Sequence, residues 1–339
     1  MKFRSILSPI SRASTDVGIR PRGLIVASYI ILASAWVIAV LLRLTVRDLT
    51  SFNQLTAYHY ATPMPLLFLL ALFLAITAFF LSHSKASAGW CLLAMVIAQS
   101  AGSYPIQNQA INSIEEPLQQ RLMLWNVCHG RNGFDNVVDE MQSHYADIYM
   151  LIEAGPPSEK MRRFWQENFP DHEVTLLGSE MVLLLRGTAG QVQVGALRPQ
   201  GQYRQVEVAT TAGKFDLLFV DIHGRPTLSR REPIARLTEL VDESSDGPLL
   251  VAGDFNTPRD SPLFQPLDAR LCNAYDAVGT GFEPTWPWPF PLLTLDQVWS
   301  NSGVCFHHCL QSWCSISDHR PVIVDFSLTQ QQLKLANNK

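Results

Sequence analysis

The stretch Pro248-Leu249-Leu250-Val251-Ala252-Gly253-Asp254-Phe255-Asn256 runs a short apolar segment straight into a glycine, a carboxylate and a carboxamide. An uninterrupted apolar run over 248–252 reads as a strand covered on both faces. Gly253 to Asn256 then stand where that strand reaches solvent. Alone they fit an ordinary turn equally well, because Asp and Asn tolerate left-handed backbone and hydrogen-bond to their own loops.

The same arrangement recurs outward in both directions. Segments 122–127, 147–152 and 215–222 read as strands that lead to Asn126, Glu153 and His223. Further strands are expected at 174–177, 182–185, 206–210, 295–300, 304–310 and 322–326, and helices at 134–144, 158–168 and 230–242. Alternation of this kind builds a layered α/β domain. Polar groups at several strand ends then gather on one rim of a sheet. Singly, each has a bland explanation: Glu153 as a cap, His223 as a structural histidine, Asp318-His319 as turn chemistry. Together with Asp296, they form an ordered set suited to one reaction. Asp and Glu without a soft partner favour Mg²⁺ or Mn²⁺, while two histidines and several amides supply donors for a phosphoryl group.

On these residues the chain resembles the endonuclease/exonuclease/phosphatase superfamily, with the deoxyribonuclease I-like fold. The resemblance rests on Leu124-Trp125-Asn126-Val127, on 146–153 ending in Glu153, on Val220-Asp221-Ile222-His223, on Gly253-Asp254-Phe255-Asn256, on Leu295-Asp296-Gln297-Val298, and on Ser317-Asp318-His319-Arg320-Pro321-Val322. It spans 121–328. It implies a four-layer α/β sandwich, two mixed sheets flanked by helices, and Mg²⁺-assisted hydrolysis of a phosphoester by in-line attack of water. Carried over position by position, Glu153 ligates the metal, with Asn126 at metal or phosphate and Asp318 in the metal's surroundings. Asp254, helped by Asn256, orients or deprotonates the water. His319 bonds a phosphate oxygen while Asp296 holds its ring, and His223 assists phosphate binding or leaving-group protonation. Three positions depart from the pattern: Ile152 where Gln precedes the Glu, Asp221-Ile222 before His223, and Gln297 after Asp296. None removes one of these groups. A catalytically inactive, membrane-tethered binding protein of the same fold is the alternative.

The rest of the chain has a different character. Charged residues make up 17% of the 339, against about 25% in ordinary soluble domains. The deficit is local: residues 23–104 hold four charges (Arg43, Arg47, Asp48, Lys85), whereas the 235 residues from Pro105 onward hold 46. This excludes a single soluble globule and a disordered chain. Apolar runs at 23–42, 63–81 and 86–104 are expected to cross a membrane as an all-α region, the third weakened by Gln99 and several Ser and Gly residues. The first run is too long for the core of a typical signal peptide. Lys2, Arg4, Arg12, Arg20 and Arg22 precede it, so segment 1–22 should be cytoplasmic. Three crossings then put everything after the 105–120 linker outside the cytoplasm; if the third run does not cross, the domain is cytoplasmic.

Residues 121–339, ending in a polar tail at 329–339, carry 18 Lys plus Arg and 26 Asp plus Glu, a net of −8. Binders of extended duplexes are normally basic on one face, and Arg162-Arg163 and Arg230-Arg231 read as isolated pairs. A small or lipid-linked phosphoester, or a nucleotide, fits this charge better than a long duplex. In 284–291, Trp286, Trp288 and Phe290 suit stacking on a base, contact with lipid, or packing on the sheet. Cys305, Cys309 and Cys314 with His307 and His308 fit a closed zinc site poorly, because alternate strand residues point to opposite faces. An extracytoplasmic domain permits a disulfide such as Cys309–Cys314.

Overall fold

The computed structural model describes residues 21–46, 53–100, 119–225, 227–244 and 247–329. The expected basic start and polar tail, and nearly all of the linker, lie outside them. In chain order the elements from residue 120 are β1 (Gln120–Asn126), β2 (Ile148–Ile152), β3 (Glu173–Gly178), β4 (Met181–Leu185), β5 (Gly187–Ala189), β6 (Gln193–Ala196), β7 (Gly201–Thr210), β8 (Gly213–Ile222), β9 (Leu249–Asp254), β10 (Cys272–Asn273), β11 (Gly279–Thr280), β12 (Asp296–Ser300), β13 (Val304–Gln311) and β14 (Val322–Leu328). One sheet has the order β11-β13-β14-β1-β2-β4-β3, the other β10-β12-β9-β8-β7-β5 with β6 on β7. Both are mixed: β1/β2 and β8/β9 run parallel among antiparallel neighbours.

The two sheets face each other. Leu124, Met150 and Leu183 from one meet Leu217, Phe219 and Ala252 from the other in a single buried cluster. The alternate residues point outward and are covered too. Trp125, Tyr149 and Leu151 pack under Val137 and Met141 of α5 (Phe134–His144) and Trp165 of α6 (Glu159–Asn168). Leu218, Val220, Val251 and Trp299 pack under Ile234 and Leu237 of α7 (Arg231–Glu243) and Leu267 of α8 (Gln265–Asp268). A strand covered on both faces needs apolar residues at every position, which is why 248–252 carries no alternation. Each fully buried Leu or Phe contributes about 1.5–3 kcal/mol. The four layers are thus helix, sheet, sheet, helix, as expected from the sequence.

Boundaries moved where pairing outruns the apolar run. β7 begins at Gly201 instead of 206, because its polar first half pairs with β8 down to Ile222. β9 continues through Gly253 and Asp254. The short strands β5, β6, β10 and β11 have no apolar run to announce them. The six cysteines are unpaired. Cys309 faces the core between the sheets and Cys314 the outer face. The two therefore form no disulfide, and the cysteine–histidine group forms no zinc cluster among the described residues.

Before the sandwich lie α1 (Pro21–Val46), α2 (Asn53–Ala61), α3 (Met64–Phe80) and α4 (Ser84–Ser100). By length and composition, α1 alone among the described helices is long and apolar enough to cross a membrane, over Gly23–Thr45. The second expected span is a shorter helix, and the third is a helix over its described part, residues 101–104 lying outside the described ones. The loop expected at 43–62 contains α2. Small residues Ala71, Ala75 and Ala78 are buried in α3 and permit close approach of helices. Trp36 of α1 donates its indole N–H to Leu67 O at 2.9 Å and meets Trp90 edge-on.

Candidate active site

In the antiparallel register of β9 and β12, Asp254 lies directly opposite Asp296. Directly opposed side chains project from the same face, so two carboxylates share one buried place, each 1% exposed. His319 arrives on the segment before β14. Its Nδ1 lies 2.7 Å from Asp296 Oδ2 and its Nε2 3.9 Å from Asp254 Oδ2. The backbone around it is pinned to β1: Trp125 donates its indole N–H to His319 O at 2.9 Å, and Ser317 Oγ donates to Asn126 O at 2.7 Å.

Asn126, at the end of β1, ties the trio to Glu153. Its Nδ2 donates to Asp254 Oδ2 at 3.1 Å and to Glu153 Oε1 at 3.2 Å, while its Oδ1 accepts from the Cys128 N–H at 3.0 Å. Asn256 donates its backbone N–H to Asp254 Oδ1 at 2.9 Å and its Nδ2 to Ile222 O at 2.7 Å. Glu153 and Asn256 hold φ of 55° and 45°, the left-handed region that costs a non-glycine residue energy and clusters at functional sites. Gly253 has no alternative residue: a Cβ there would sit 1.8 Å from Val220 O.

Burial disfavours charge on Asp254, and the neighbouring Asp296 carboxylate disfavours it further, so its pKa is raised above the ordinary carboxylate range. Burial alone would lower the pKa of His319. The carboxylates of Asp296 and Asp254 outweigh it and raise the pKa, which keeps the ring protonated at neutral pH. The two carboxylates compete for one imidazolium. The 2.7 Å contact gives it to Asp296, and Asp254 is left as the group best placed to take up a proton.

Asn126, Glu153, Asp254, Asn256 and His319 all line one pocket of about 530 Å³, joined by Arg230 and Trp286. Three expected site residues stand outside its lining: Asp296, buried against His319, and His223 and Asp318. His223, just past β8, is exposed and its backbone N–H donates to Gln200 O. The Asp318 carboxylate accepts the Trp286 indole N–H at 3.2 Å and borders a smaller neighbouring cavity with Cys128 and Trp288. Sequence reasoning also passed over several residues. His129 contacts Glu153 Oε2 at 3.2 Å and Glu180 Oε2 at 2.6 Å; its place directly after the first strand was the available signal. Arg230, read as half of a surface pair, is 1% exposed and bonds the backbone of Asn256, Arg225 and Leu228. Nothing local distinguishes it.

The donor chemistry suits a hard divalent ion at Glu153. Its carboxylate is partly open to the pocket, has the Asn126 carboxamide beside it, and no cysteine lines the same pocket. Asp254, Asp296 and His319 also place one donor atom each within 4.8 Å of one another, but a ring bonded to Asp296 and protonated is a poor ligand.

A profile described as the Endonuclease/Exonuclease/phosphatase family matches residues 123–319. No curated protein matches the chain. Among solved structures, an endonuclease/exonuclease/phosphatase from Bacteroides vulgatus aligns with a TM-score of 0.53 at 15% identity, covering 62% of this chain and 100% of its own. A mannosyl-6-phosphatase from Bacteroides thetaiotaomicron VPI-5482 aligns with a TM-score of 0.51 at 13% identity, covering 62% and 100%. Identities this low speak for the fold alone. The profile covers more than half the chain and runs from the strand that carries Asn126 to His319 itself, and the chain therefore belongs to the endonuclease/exonuclease/phosphatase family.

Proposed function

We propose that the chain is a membrane-anchored, divalent-metal-assisted phosphoesterase that hydrolyses a phosphodiester or phosphomonoester. Members of its family are hydrolases of phosphoesters, and one similar structure is a mannosyl-6-phosphatase. The observation that carries the reading is the seating of Asp254 beside a protonated His319 at the base of the pocket. In the proposed step the oxygen of water bonds to phosphorus in line with the ester oxygen, and that P–O bond breaks. Asp254 accepts the proton lost by water, positioned by the N–H of Asn256 and the carboxamide of Asn126. His319 donates a hydrogen bond to a phosphoryl oxygen, and Asp296 fixes its tautomer. The departing oxygen is protonated by solvent or by His223 on the adjacent rim. Mg²⁺ or Mn²⁺ held at Glu153 would offset the negative charge on the phosphoryl group. Asp318 supports the site through Trp286.

The anchor is read as three crossings. α3 has 17 residues, about 26 Å at 1.5 Å per residue, close to the thickness of a thin bilayer core of about 27 Å. One contact bears on sidedness. Arg43, at the end of α1, pairs with Asp260 of the sandwich. A shared side for the end of α1 and the sandwich fits a reading in which both α3 and α4 cross. With a cytoplasmic start, that side is outside the cytoplasm. The sandwich is taken as one domain, 121–328.

The test is turnover by the full chain in detergent against an aryl phosphodiester, an oligonucleotide and phospholipids, with and without EDTA. Metal-dependent turnover lost in Asp254→Ala and His319→Ala supports the reading. No turnover of any class overturns it in favour of the tethered binding protein. A cytoplasm-only reporter fused after Lys339 should stay silent.

A further inference from the structure

The pocket has a second wall that the sandwich does not supply. Besides the polar residues, Ala57, Tyr60 and Ala61 of α2 line it together with Trp286, Leu293 and Leu295 of the sandwich. We propose that α2 is part of the substrate pocket, and that the substrate is a phosphoester bearing a long apolar group, taken from a lipid surface. The proposal rests on the phosphoesterase reading above.

Four contacts hold the wall in place. Arg43, 6% exposed, donates through Nη1 to His59 O at 2.6 Å and pairs through Nη2 with Asp260. His59 Nε2 lies 3.7 Å from the same Asp260 carboxylate. The Arg230 guanidinium sits 5.4 Å from the Tyr60 ring centre, within cation–π range. The helix that delivers Arg43 is the one able to span a bilayer, and its neighbours Leu41 and Leu44 are 56% and 59% exposed. The wall therefore hangs from the end of a helix whose surface suits lipid.

Composition determines what such a wall can select. The polar side chains of the sandwich suffice for a phosphate. A wall of alanine, leucine and aromatic surface adds affinity only when apolar surface covers it. A small polar ester would leave it wetted, whereas an acyl or prenyl group would bury it. A nucleotide could use Trp286 alone as a stacking platform, but it would find no donors or acceptors for a base edge on Ala57, Ala61, Leu293 or Leu295.

The experiment uses the full chain reconstituted in phosphatidylcholine vesicles. Probes are phosphatidic acid and phosphatidylglycerol of long and short acyl length, bis(4-nitrophenyl) phosphate and an oligonucleotide. Wild type is expected to favour long over short acyl chains at least tenfold in kcat/KM. Ala57→Trp and Ala61→Trp, which fill the wall, should each lower the lipid-to-aryl ratio of kcat/KM about tenfold. Equal efficiency on long and short chains, preference for the oligonucleotide, or a ratio unmoved in both variants overturns the proposal. The chain-length series needs no variant, so misfolding of either substitution cannot shelter it. Turnover of the aryl diester without lipid preference sinks this proposal and leaves the phosphoesterase reading standing. No turnover of any probe overturns that reading itself.

Discussion

The helical region and the sandwich bury their residues by opposite rules. Among the described residues, 18 of the exposed large hydrophobic side chains lie between Leu24 and Val96, and four, Tyr145, Val194, Phe290 and Trp313, lie in the sandwich. In α3 the small residues Ala71, Ala75 and Ala78 turn inward while Phe73, Phe79 and Phe80 are 55–78% exposed. In the sandwich the large residues turn inward and the charges out. An inside-out helical unit suits a solvent as apolar as its own side chains, where packing of small residues holds helices together. The sandwich buries its large apolar residues as domains in water do. The two meet at Arg43, His59 and Asp260, the place where each must satisfy the other's polar groups.

Substitutions can break this division. If chemistry belongs to the sandwich alone, Asp254→Ala and His319→Ala should each cut kcat/KM by about a thousandfold or more, with thermal unfolding of the full chain little changed. Gly253→Val tests the strand that carries Asp254. A Cβ 1.8 Å from Val220 O forces β8 and β9 apart, at a cost of about 3 kcal/mol or more, seen as a lowered denaturant midpoint. Asn126→Ala frees Glu153 from Asp254 and should lower turnover about a hundredfold, measured at saturating metal. Arg43→Ala acts at the seam: faster proteolysis of the 43–62 segment is expected, with a stability loss of about 1 kcal/mol.

The smallest expected effect is on pH dependence. Burial would raise the pKa of Asp260, but His59 and Arg43 hold it down to about 2. A depressed carboxylate contributes its stabilisation fully above its unfolded value of 3.8 and loses it as pH falls towards 2. Because the Asp260 side chain is 41% exposed, solvent screens much of this. Proteolytic release of the helical unit by an acid protease should rise between pH 4 and pH 2 in wild type, and Asp260→Asn should flatten that rise.

How far each part was legible depended on how local its cause was. Strands β1, β2, β8, β9, β12, β13 and β14 announce themselves because two buried faces demand apolar residues throughout. The residues at their ends follow at once, so the sequence alone is enough to expect Asn126, Glu153, Asp254, Asn256 and His319 on one rim. The facing of Asp254 and Asp296 needs a register between strands some forty residues apart, which no periodicity carries; the resemblance tied Asp296 to His319 alone. His223 and Asp318 end on the right rim but outside the pocket, a difference of a few ångströms that strand counting does not resolve. The sequence reads 43–62 as a loop because Asn53–Ala61 has no apolar stripe; the contacts α2 makes with Arg43 and with Asp260, the latter remote in sequence, leave no local pattern. Arg230 is indistinguishable from a surface arginine until the backbone of 225–228 and Asn256 wraps its guanidinium.

The opposition of Asp254 and Asp296 across β9 and β12 has a consequence for how such a fold diversifies. The chain leaves the first carboxylate and returns with the second after residues 255–295, and the strand register, not that intervening segment, sets their separation. Insertions, deletions or grafts around Phe290 are expected to change what the pocket admits, provided Thr285 is kept, because its Oγ1 accepts the Leu295 and Asp296 N–H groups. Chimeras that exchange only this excursion between relatives are a direct way to move substrate preference while the chemistry travels unchanged.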